Sequence, residues 1–234
     1  MGGDFYDALQ LGGGRVALIC GDGTGKGLEA ARYVSESLFV LRAYLRETPD
    51  PAVALARLNN YMIDGQRFGG RSDNAFAAVA VAVIDTSTGE VRFAAGGAEP
   101  PFVVRVATGK AEPVEVSGVV LGGNPGSEYD RVSVTVDPGD FVVMSTDGTT
   151  EARNKRNRQF FGYDGLLRAA EEQAHGAQTT NDVAYRLVDR AKAFAGGKLN
   201  DDACVVVARF LGGTPAADAG TETLPGRFAF VEPD

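Results

Sequence analysis

Residues 2–27 read GGDFYDALQLGGGRVALICGDGTGKG, and this stretch decides the fold. Two largely apolar runs, FYDALQL and RVALICGD, flank three glycines at positions 12–14, which predicts a β-hairpin. Asp4 and Asp7 stand near the start of the first run, and Asp22 stands at the end of the second. The hairpin therefore carries carboxylates where functional sites are held by rigid strands.

The rest of the chain alternates between helical and strand patterns. Apolar residues recur at helical spacing over 28–47, and Asp50 and Pro51 are a typical cap and first residue for a second helix over 52–65. Further helices are predicted at 162–173 and 181–195. One hairpin is predicted to join the runs FAAVAVAVIDT and EVRFAAGG, and another is predicted within FVVRVATGKAEPVEV. Two more strands flank DPGD, and ACVVVARFL is a final strand.

This order of elements predicts the fold class. Hairpins imply antiparallel sheets, and the two helical pairs between runs of strands imply helices packed outside those sheets. We expect an α+β fold, a four-layer α-β-β-α sandwich of two mainly antiparallel sheets flanked by helices. Residues 1–211 would form one domain, and the Gly/Pro/Ala/Thr-rich residues 212–224 a flexible linker.

Composition excludes several classes of function. The net charge is −8 with a pI near 4.8, which argues against nucleic-acid and anionic-membrane partners. The single histidine, His175, falls near a helix end, where a solvated role is expected, so histidine-based zinc and triad chemistry are disfavoured. Cys20 and Cys204 both lie in apolar runs and are expected to be reduced thiols, which suits a cytoplasmic protein. No apolar run reaches the length of a membrane span.

Aspartates at four separate points of the chain indicate the chemistry. Each follows or opens a strand-like run, and four such sites meeting in one fold would need cations to stay ionised. Carboxylate oxygens are the ligands that Mg²⁺ and Mn²⁺ prefer. The sequence therefore predicts a metal site that activates water. The aspartates are Asp4, Asp7, Asp22, Asp147, Asp201 and Asp202.

Several motifs in a fixed order resemble one family. The motifs are GGDFYD, GDGTGKG, LGGNPGSEYDRVSVTVDPGDFVVMSTDGTTEARN, FFGYDGLL and DDACVVVAR. Together they are similar to the SpoIIE-type branch of the metal-dependent protein phosphatases, the PPM or type 2C family. The resemblance runs from Gly2 to about Phe210. It implies an α-β-β-α sandwich, two Mg²⁺ or Mn²⁺ ions between the sheets, and hydrolysis of phosphoserine or phosphothreonine.

The resemblance also implies roles for single residues. Asp22 would bridge the two ions, the Gly23 carbonyl and Asp4 would bind the second ion, and Asp147 and Asp201 would complete the first. Asp22, Asp147 and Asp201 are thus the expected catalytic residues. Asp7 and Asp202 would lie beside the ligands. The helices over 28–47 and 52–65 form a regulatory switch in relatives, and their simpler role is to cover the sheet.

This chain departs from the family pattern at three points. Thr24 stands where eukaryotic relatives carry a histidine thought to be the general acid, so the proton donor is unassigned. Ala98 stands where many relatives have histidine. Relatives also carry a strand directly before GGDFYD, and its counterpart here is RFAFVEPD, within residues 225–234. We expect that strand to complete the sheet beside the strand starting at Phe5, by permutation or by exchange with a second chain, unless its similarity is by chance.

Two functions follow from these patterns. The first is a protein serine/threonine phosphatase in which a metal-bridging water attacks the phosphoryl group, acting on a phosphoprotein such as an anti-sigma-factor antagonist. The second is a catalytically silent module of the same fold that binds a phosphoprotein or a regulatory partner. A homodimer through the terminal strand or the switch helices is also expected.

Overall fold

The computed structural model describes residues 3–25, 27–68, 75–174, 179–213 and 229–230. They form ten strands and five helices, and the predicted order of helices and strands is confirmed. The strands are β1 (Asp4–Leu11), β2 (Arg15–Gly23), β3 (Ala77–Asp85), β4 (Glu90–Gly96), β5 (Phe102–Arg105), β6 (Lys110–Pro113), β7 (Val132–Thr135), β8 (Phe141–Ser145), β9 (Val205–Arg209) and β10 (Ala229–Phe230). The helices are α1 (Leu28–Glu47), α2 (Pro51–Phe68), α3 (Asp147–Thr150), α4 (Gly162–Ala174) and α5 (Thr180–Phe194).

The strands form two antiparallel five-stranded sheets. The first sheet has the order β1-β2-β3-β4-β7, and the second has the order β10-β9-β8-β5-β6. Side chains such as Leu18, Phe93 and Met144 fill the space between the sheets. Helices α1 and α2 cover the outer face of the first sheet, and α4 and α5 cover that of the second. The α+β sandwich predicted from the sequence is therefore confirmed.

Strand β2 lies inside the first sheet between β1 and β3. Its side chains alternate, so that Leu18 and Cys20 enter the core between the sheets while Ala17 and Ile19 pack towards the helices. All four are at most 1% exposed. Burial on both faces explains why this segment is a continuous apolar run and not an alternating one, and it fixes the strand that carries Asp22.

The helix boundaries follow from local capping. Asp50 Oδ1 accepts hydrogen bonds from the backbone N–H groups of Ala52 at 3.0 Å and Val53 at 3.3 Å, as its position before Pro51 predicts. Helix α2 continues to Phe68, beyond the expected end at Gly65. Helix α5 begins with a reciprocal capping box between Thr179 and Asp182. Among the described residues, no helix is long and apolar enough to cross a membrane.

The strands on either side of DPGD belong to different sheets. Strand β7 pairs with β4 at the edge of the first sheet, whereas β8 lies between β5 and β9 in the second. The turn between them, in which Gly139 has a φ of 102°, therefore carries the chain across the sandwich. This crossing puts the end of β8 opposite the ends of β1 and β2.

The C-terminal strand pairs with a different partner from the one expected. Ala229 and Phe230 lie opposite Val207 and Val206 of β9, so pairing beside β1 was wrong. Strands β1 and β9 would each be an open edge without a further strand, and an alternating apolar segment fits either edge equally well. His175 lies outside the described residues, as do residues 214–224 of the predicted linker and most of residues 225–234.

Candidate metal centre

The first part of the site is the open end of the β1–β2 hairpin. Asp4 and Asp22 are directly opposite each other in the antiparallel register. The backbone N–H of Gly23 donates to the carbonyl oxygen of Gly3 at 3.0 Å, which extends the pairing by one step. The hairpin therefore brings together two carboxylates that are 18 residues apart in the sequence.

Gly3 is required by a close approach at this end of the hairpin. A Cβ atom built on Gly3 would lie 1.9 Å from the Gly23 carbonyl oxygen and 2.4 Å from Asp22 Oδ1. Both distances are far below any real contact, so a side chain here would displace the strand end. Without that side chain, a carbonyl oxygen and a carboxylate oxygen stand side by side around a space that only glycine leaves open.

Thr146 joins this hairpin to the second sheet. Its Oγ1 donates a hydrogen bond to Asp4 Oδ2 at 2.8 Å and accepts one from the backbone N–H of Cys204 at 2.9 Å. Its own backbone N–H donates to the carbonyl oxygen of Cys204 at 3.0 Å. One threonine therefore fixes the ends of β1, β8 and β9 relative to one another. The sequence pattern did not predict this role for Thr146, and the only signal for it is its place next to Asp147.

Helix α3 brings Asp147 to the same place. Asp147 is the first residue of this single-turn helix, directly after β8 and Thr146. A Cβ atom on Gly148 would lie 1.8 Å from the carbonyl oxygen of Asp202, so the start of α3 rests directly on the 201–202 segment. Asp201 accepts a hydrogen bond from the backbone N–H of Asp202 at 3.0 Å. Gly148 thus sets the approach of the last two aspartates.

Asp4 is the most perturbed carboxylate of the group. Burial raises its pKa to about 7 from an ordinary value of 3.8, and the hydrogen bond from Thr146 opposes this rise. The negative charges of three neighbours, Asp22, Asp147 and Asp202, raise the pKa further. Asp4 is therefore surrounded by like charges without a compensating cation in the part of the chain that the structure describes.

The pKa of Asp22 is also raised. Burial is the largest cause, and the charges of Asp147 and Asp201 add to it, while hydrogen bonds involving Asp4 and the Gly23 backbone act in the opposite direction. Five aspartates predicted from the sequence therefore influence one another electrostatically. Such a group of carboxylates is stable in the ionised state only when a positive charge joins it.

Asp7 is the predicted residue that the structure does not bring to this group. It lies on β1 three residues after Asp4, and the alternation of the strand turns it to the face covered by the helices. Arg42 of α1 binds it with two hydrogen bonds, Nε to Oδ2 at 2.5 Å and Nη2 to Oδ1 at 2.8 Å. Asp7 is therefore half of an ion pair that ties α1 to the first sheet.

Two further residues bear on the site. Glu99 lines a small cleft together with Asp22 and Asp147, and its Oε1 accepts a hydrogen bond from Thr150 Oγ1 of α3 at 2.6 Å. Thr24 Oγ1 donates to the carbonyl oxygen of Phe76 at 2.6 Å and accepts from the Phe76 backbone N–H at 2.9 Å. No motif in the sequence predicted a role for Glu99 at this site. The Thr24 hydroxyl is occupied by backbone contacts, so the general acid stays unassigned.

The donor chemistry of this group fits a divalent cation. All the candidate donors are oxygens, the carboxylates repel one another, and Gly3 leaves room beside the Gly23 carbonyl and Asp22. Within the described residues, no three His, Cys, Asp or Glu side chains are already arranged as a finished metal-binding group. The aspartates are therefore close neighbours and not a preformed cage.

The chain is similar in sequence to known proteins of one family. The family model described as Stage II sporulation protein E (SpoIIE) matches residues 12–211. Protein IcfG of Synechocystis is 30% identical over 188 residues, which is 70% of this chain and 29% of that protein. The Priestia megaterium stage II sporulation protein E is 27% identical over 214 residues, covering 91% of this chain and 34% of that protein. The chain thus spans about a third of the length of these curated relatives.

A solved structure agrees with these matches. The crystal structure of the RsbU and RsbW domains of a Mycobacterium tuberculosis protein superimposes with a TM-score of 0.73 at 28% identity. The match covers 92% of this chain and 58% of that one. The two-sheet sandwich and its flanking helices are therefore a known architecture.

Proposed function

Because the chain belongs to the SpoIIE family, we propose that it is a metal-dependent protein serine/threonine phosphatase. The observation that carries this proposal is the meeting of five aspartates from four separate segments at one end of the sandwich. Burial and mutual repulsion raise the pKa values of Asp4 and Asp22 there. A purely structural cluster would be expected to contain cationic partners, as the Asp7–Arg42 pair does.

We assign the metal ligands as the family pattern implies. Asp22 would hold both cations, Asp147 and Asp201 would complete the site of the first, and Asp4 with the Gly23 carbonyl would serve the second. Asp202 supports them from the adjoining position. When bound, such cations lower the pKa of water and offset the charge of a phosphoryl group.

The residues of this chain prepare the site for cations. Thr146 Oγ1 holds one oxygen of Asp4, which leaves the other oxygen of that carboxylate for a ligand role. Burial raises the pKa of Asp4 to about 7, so cation binding below that pH releases a proton from this carboxyl. Gly3 and Gly148 keep side chains out of the two closest backbone approaches.

The metal is proposed to be Mn²⁺ or Mg²⁺, with two ions bound. Two proteins of similar fold support this choice. The PstP catalytic domain, 14% identical with a TM-score of 0.59, is described in complex with two manganese ions. RsbX, 14% identical with a TM-score of 0.62, is described in complex with magnesium. The all-oxygen donor set is the reason to extend the metal to this chain.

The substrate is proposed to be a phosphorylated protein, and an anti-sigma-factor antagonist is the specific candidate. The Bacillus subtilis relative RsbU, 22% identical over 209 residues, is named a phosphoserine phosphatase. A cytoplasmic location is proposed because Cys20 and Cys204 are buried free thiols. We further propose that the C-terminal strand is part of the catalytic fold, paired within the chain or exchanged between two copies.

The alternative function is a silent module that binds a phosphoprotein. Two observations favour it: no three acidic side chains among the described residues form a ready metal-binding group, and the Thr24 hydroxyl is already bonded to the Phe76 carbonyl oxygen. The intact set of aspartates favours the enzyme.

The test is hydrolysis of p-nitrophenyl phosphate with Mn²⁺, Mg²⁺ or excess chelator. We expect activity with either metal, none in chelator, and no effect of thiol alkylation. The Asp22→Asn variant should be inactive. A matched Asp189→Asn variant, which changes an exposed aspartate on α5, should retain full activity. Activity that survives chelation, or no activity with any divalent cation, would contradict the proposal. Phosphorylated anti-sigma-factor antagonists should then be tested as substrates.

A further inference from the structure

A short basic segment follows α3 in this acidic protein. Lys155, Arg156 and Arg158 lie within four residues, in NKRNRQ at positions 154–159, although the chain has a net charge of −8. All three side chains are exposed. None of them has a carboxylate partner among the residues that the structure describes. No ion pair within the described residues therefore accounts for these three solvent-exposed cations.

These cations are held by a tightly hydrogen-bonded turn, which we call the basic turn (residues 153–160). Arg153 and Phe160 form an antiparallel bridge at its base. Inside it, the Asn154 N–H donates to the Gln159 carbonyl oxygen at 2.9 Å, and the Arg158 N–H donates to the Asn154 carbonyl oxygen at 2.9 Å. Arg158 has a φ of 61°, a conformation that persists only where the surroundings enforce it. The backbone that carries the cations is therefore ordered.

The basic turn is anchored beside two of the segments that carry aspartates. Asn154 Nδ2 donates to the carbonyl oxygen of Phe194 at 3.3 Å, at the end of α5. A Cβ atom on Gly196 would lie 3.6 Å from Lys155 Cδ. From Gly196 the chain reaches Asp201 in five residues, and Asp147 precedes the basic turn by six. An extended chain of that length spans at most about 20 Å.

That distance lies within the reach of a protein substrate. A typical interface buries roughly 800 Å² on each partner, a patch about 30 Å across. A phosphoprotein with its phosphorylated residue at the aspartates covers the basic turn as well when its contact patch extends to that side of the site. Phe160 adds an apolar contact there, since its side chain is 55% exposed and Arg153 lies 5.1 Å from its ring centre. Aromatic and arginine side chains are enriched in such contacts.

We propose that the basic turn is a docking surface for an acidic segment of the phosphoprotein substrate, an inference that rests on the proposed phosphatase function. The rest of the protein surface has an excess of negative charge and repels an acidic partner. A local group of opposite charge beside the site offsets that repulsion and orients the encounter. Three cations on one turn are too few for nucleic acid, which calls for an extended basic surface.

The test compares two phosphoserine peptides that differ only in flanking charge. One carries glutamates around the phosphoserine, and the other carries glutamines at the same positions. The variant is Lys155→Glu with Arg156→Glu, and its matched control is Arg46→Glu with Arg168→Glu. The control makes the same change in charge at exposed positions on α1 and α4. Melting curves and p-nitrophenyl phosphate hydrolysis of all three proteins report on fold and site.

We expect the basic-turn variant to lower kcat/KM about tenfold for the acidic peptide and less than about twofold for the glutamine peptide and p-nitrophenyl phosphate. The control should change none of these by more than about twofold. Raising the salt to 0.5 M, roughly three times the physiological ionic strength, should remove most of the difference. Equal losses on both peptides, equal losses in the control, or binding of RNA that depends on the basic turn would overturn the inference. A wild type inactive on p-nitrophenyl phosphate would instead contradict the phosphatase itself.

Discussion

The two ends of β8 each carry an aspartate, Asp140 buried and Asp147 exposed, and the two aspartates have opposite surroundings. Asp140, just before the strand, is 3% exposed and is bound by Arg105 Nη1 at 2.9 Å and by the backbone N–H groups of Val106 and Asp137. Asp147, just after the strand, begins α3 beside Asp22 and lines the cleft of the candidate metal centre. The same residue type is neutralised by protein groups at one end and placed among carboxylates at the other.

This difference separates structural from functional acidic residues. A buried carboxylate costs free energy unless it is paired and hydrogen-bonded, and the Asp140 end meets that requirement within the protein. At the Asp147 end the carboxylates repel one another and have no cationic partner among the described residues, so that repulsion is offset only when positive charge arrives from outside. Substitution should therefore have opposite effects on the two ends: loss of stability at Asp140, and loss of activity without loss of stability at the aspartate group.

The largest expected effect is on the catalytic side of this comparison. Loss of a residue that only supports a metal ligand typically costs 10–100-fold, so Asp22→Asn should lower kcat/KM by more than about 100-fold. In chelator, the same variant should melt at the same temperature as wild type or higher, because it removes repulsion from its neighbours. Mn²⁺ should stabilise the wild type by mass action and the variant much less. Melting curves with and without Mn²⁺ measure both effects.

The contrary result is well defined for Asp22. A drop of several degrees in chelator, with an equal Mn²⁺ shift for both proteins, would make Asp22 a structural turn residue. The aspartates at the two ends of β8 would then both be structural residues.

The matching effect at the other end is on stability. Asp140→Asn weakens the bond to Arg105 and the acceptors for two backbone N–H groups, and we expect a loss of roughly 3 kcal/mol in the free energy of unfolding. The kcat of the folded variant with Mn²⁺ should equal that of wild type. Urea unfolding and activity at saturating metal provide the two measurements. An Asp140→Asn variant of unchanged stability would show that the buried pair is energetically neutral.

Stability in chelator should depend on pH because of Asp4. Its pKa is about 7 in the folded state and near 3.8 in the unfolded chain, so between these values the folded state holds a proton that the unfolded state has lost. The free energy of unfolding must therefore fall as pH rises from about 4 to 7. Burial and nearby charges raise the pKa of Asp22 too, which acts in the same direction.

The contribution of Asp4 can be isolated by difference. Melting temperatures of wild type and Asp4→Asn, measured in chelator from pH 5 to pH 8, should diverge, with the variant becoming relatively more stable as pH rises. Parallel curves would mean that Asp4 is not held among unneutralised charges.

The smallest effect is expected at Thr146, which joins the two sheets at the aspartate end. Thr146→Val keeps the shape but removes a donor to Asp4 and an acceptor for the Cys204 N–H, so about 1–2 kcal/mol of stability should be lost. Its hydrogen bond lowers the pKa of Asp4, so the variant should also bind Mn²⁺ more weakly at pH 6. Thr146→Ser should restore both properties. A Ser variant that behaves like Val would contradict the role given to the hydroxyl.

Local patterns allowed much of this molecule to be predicted. Helix α1 lies at 28–47 as expected, Asp50 caps α2, and the strands begin and end close to their apolar runs, since these features depend on neighbours within a few residues. The five grouped aspartates were also predicted, because strand ends carry them and the order of motifs fits one family. The spacing of Asp4 and Asp7 on β1 puts them on opposite faces, but the partner of Asp7, Arg42 of α1, is a distant residue that local patterns do not identify.

The tertiary structure decided what depends on distant segments. The sequence alone determined the elements, the two antiparallel layers and the residues able to bind a cation. Packing alone decides that β7 joins the first sheet and β8 the second, and that β10 pairs with β9. It also decides that Thr146 lies between Asp4 and Cys204. The physical reason is range: turns, caps and alternation are fixed within a few residues. The pairing of edge strands and the hydrogen bonds between sheets depend on which distant segments the folded core brings together. Asp4 and Thr146, for example, are 142 residues apart in the sequence.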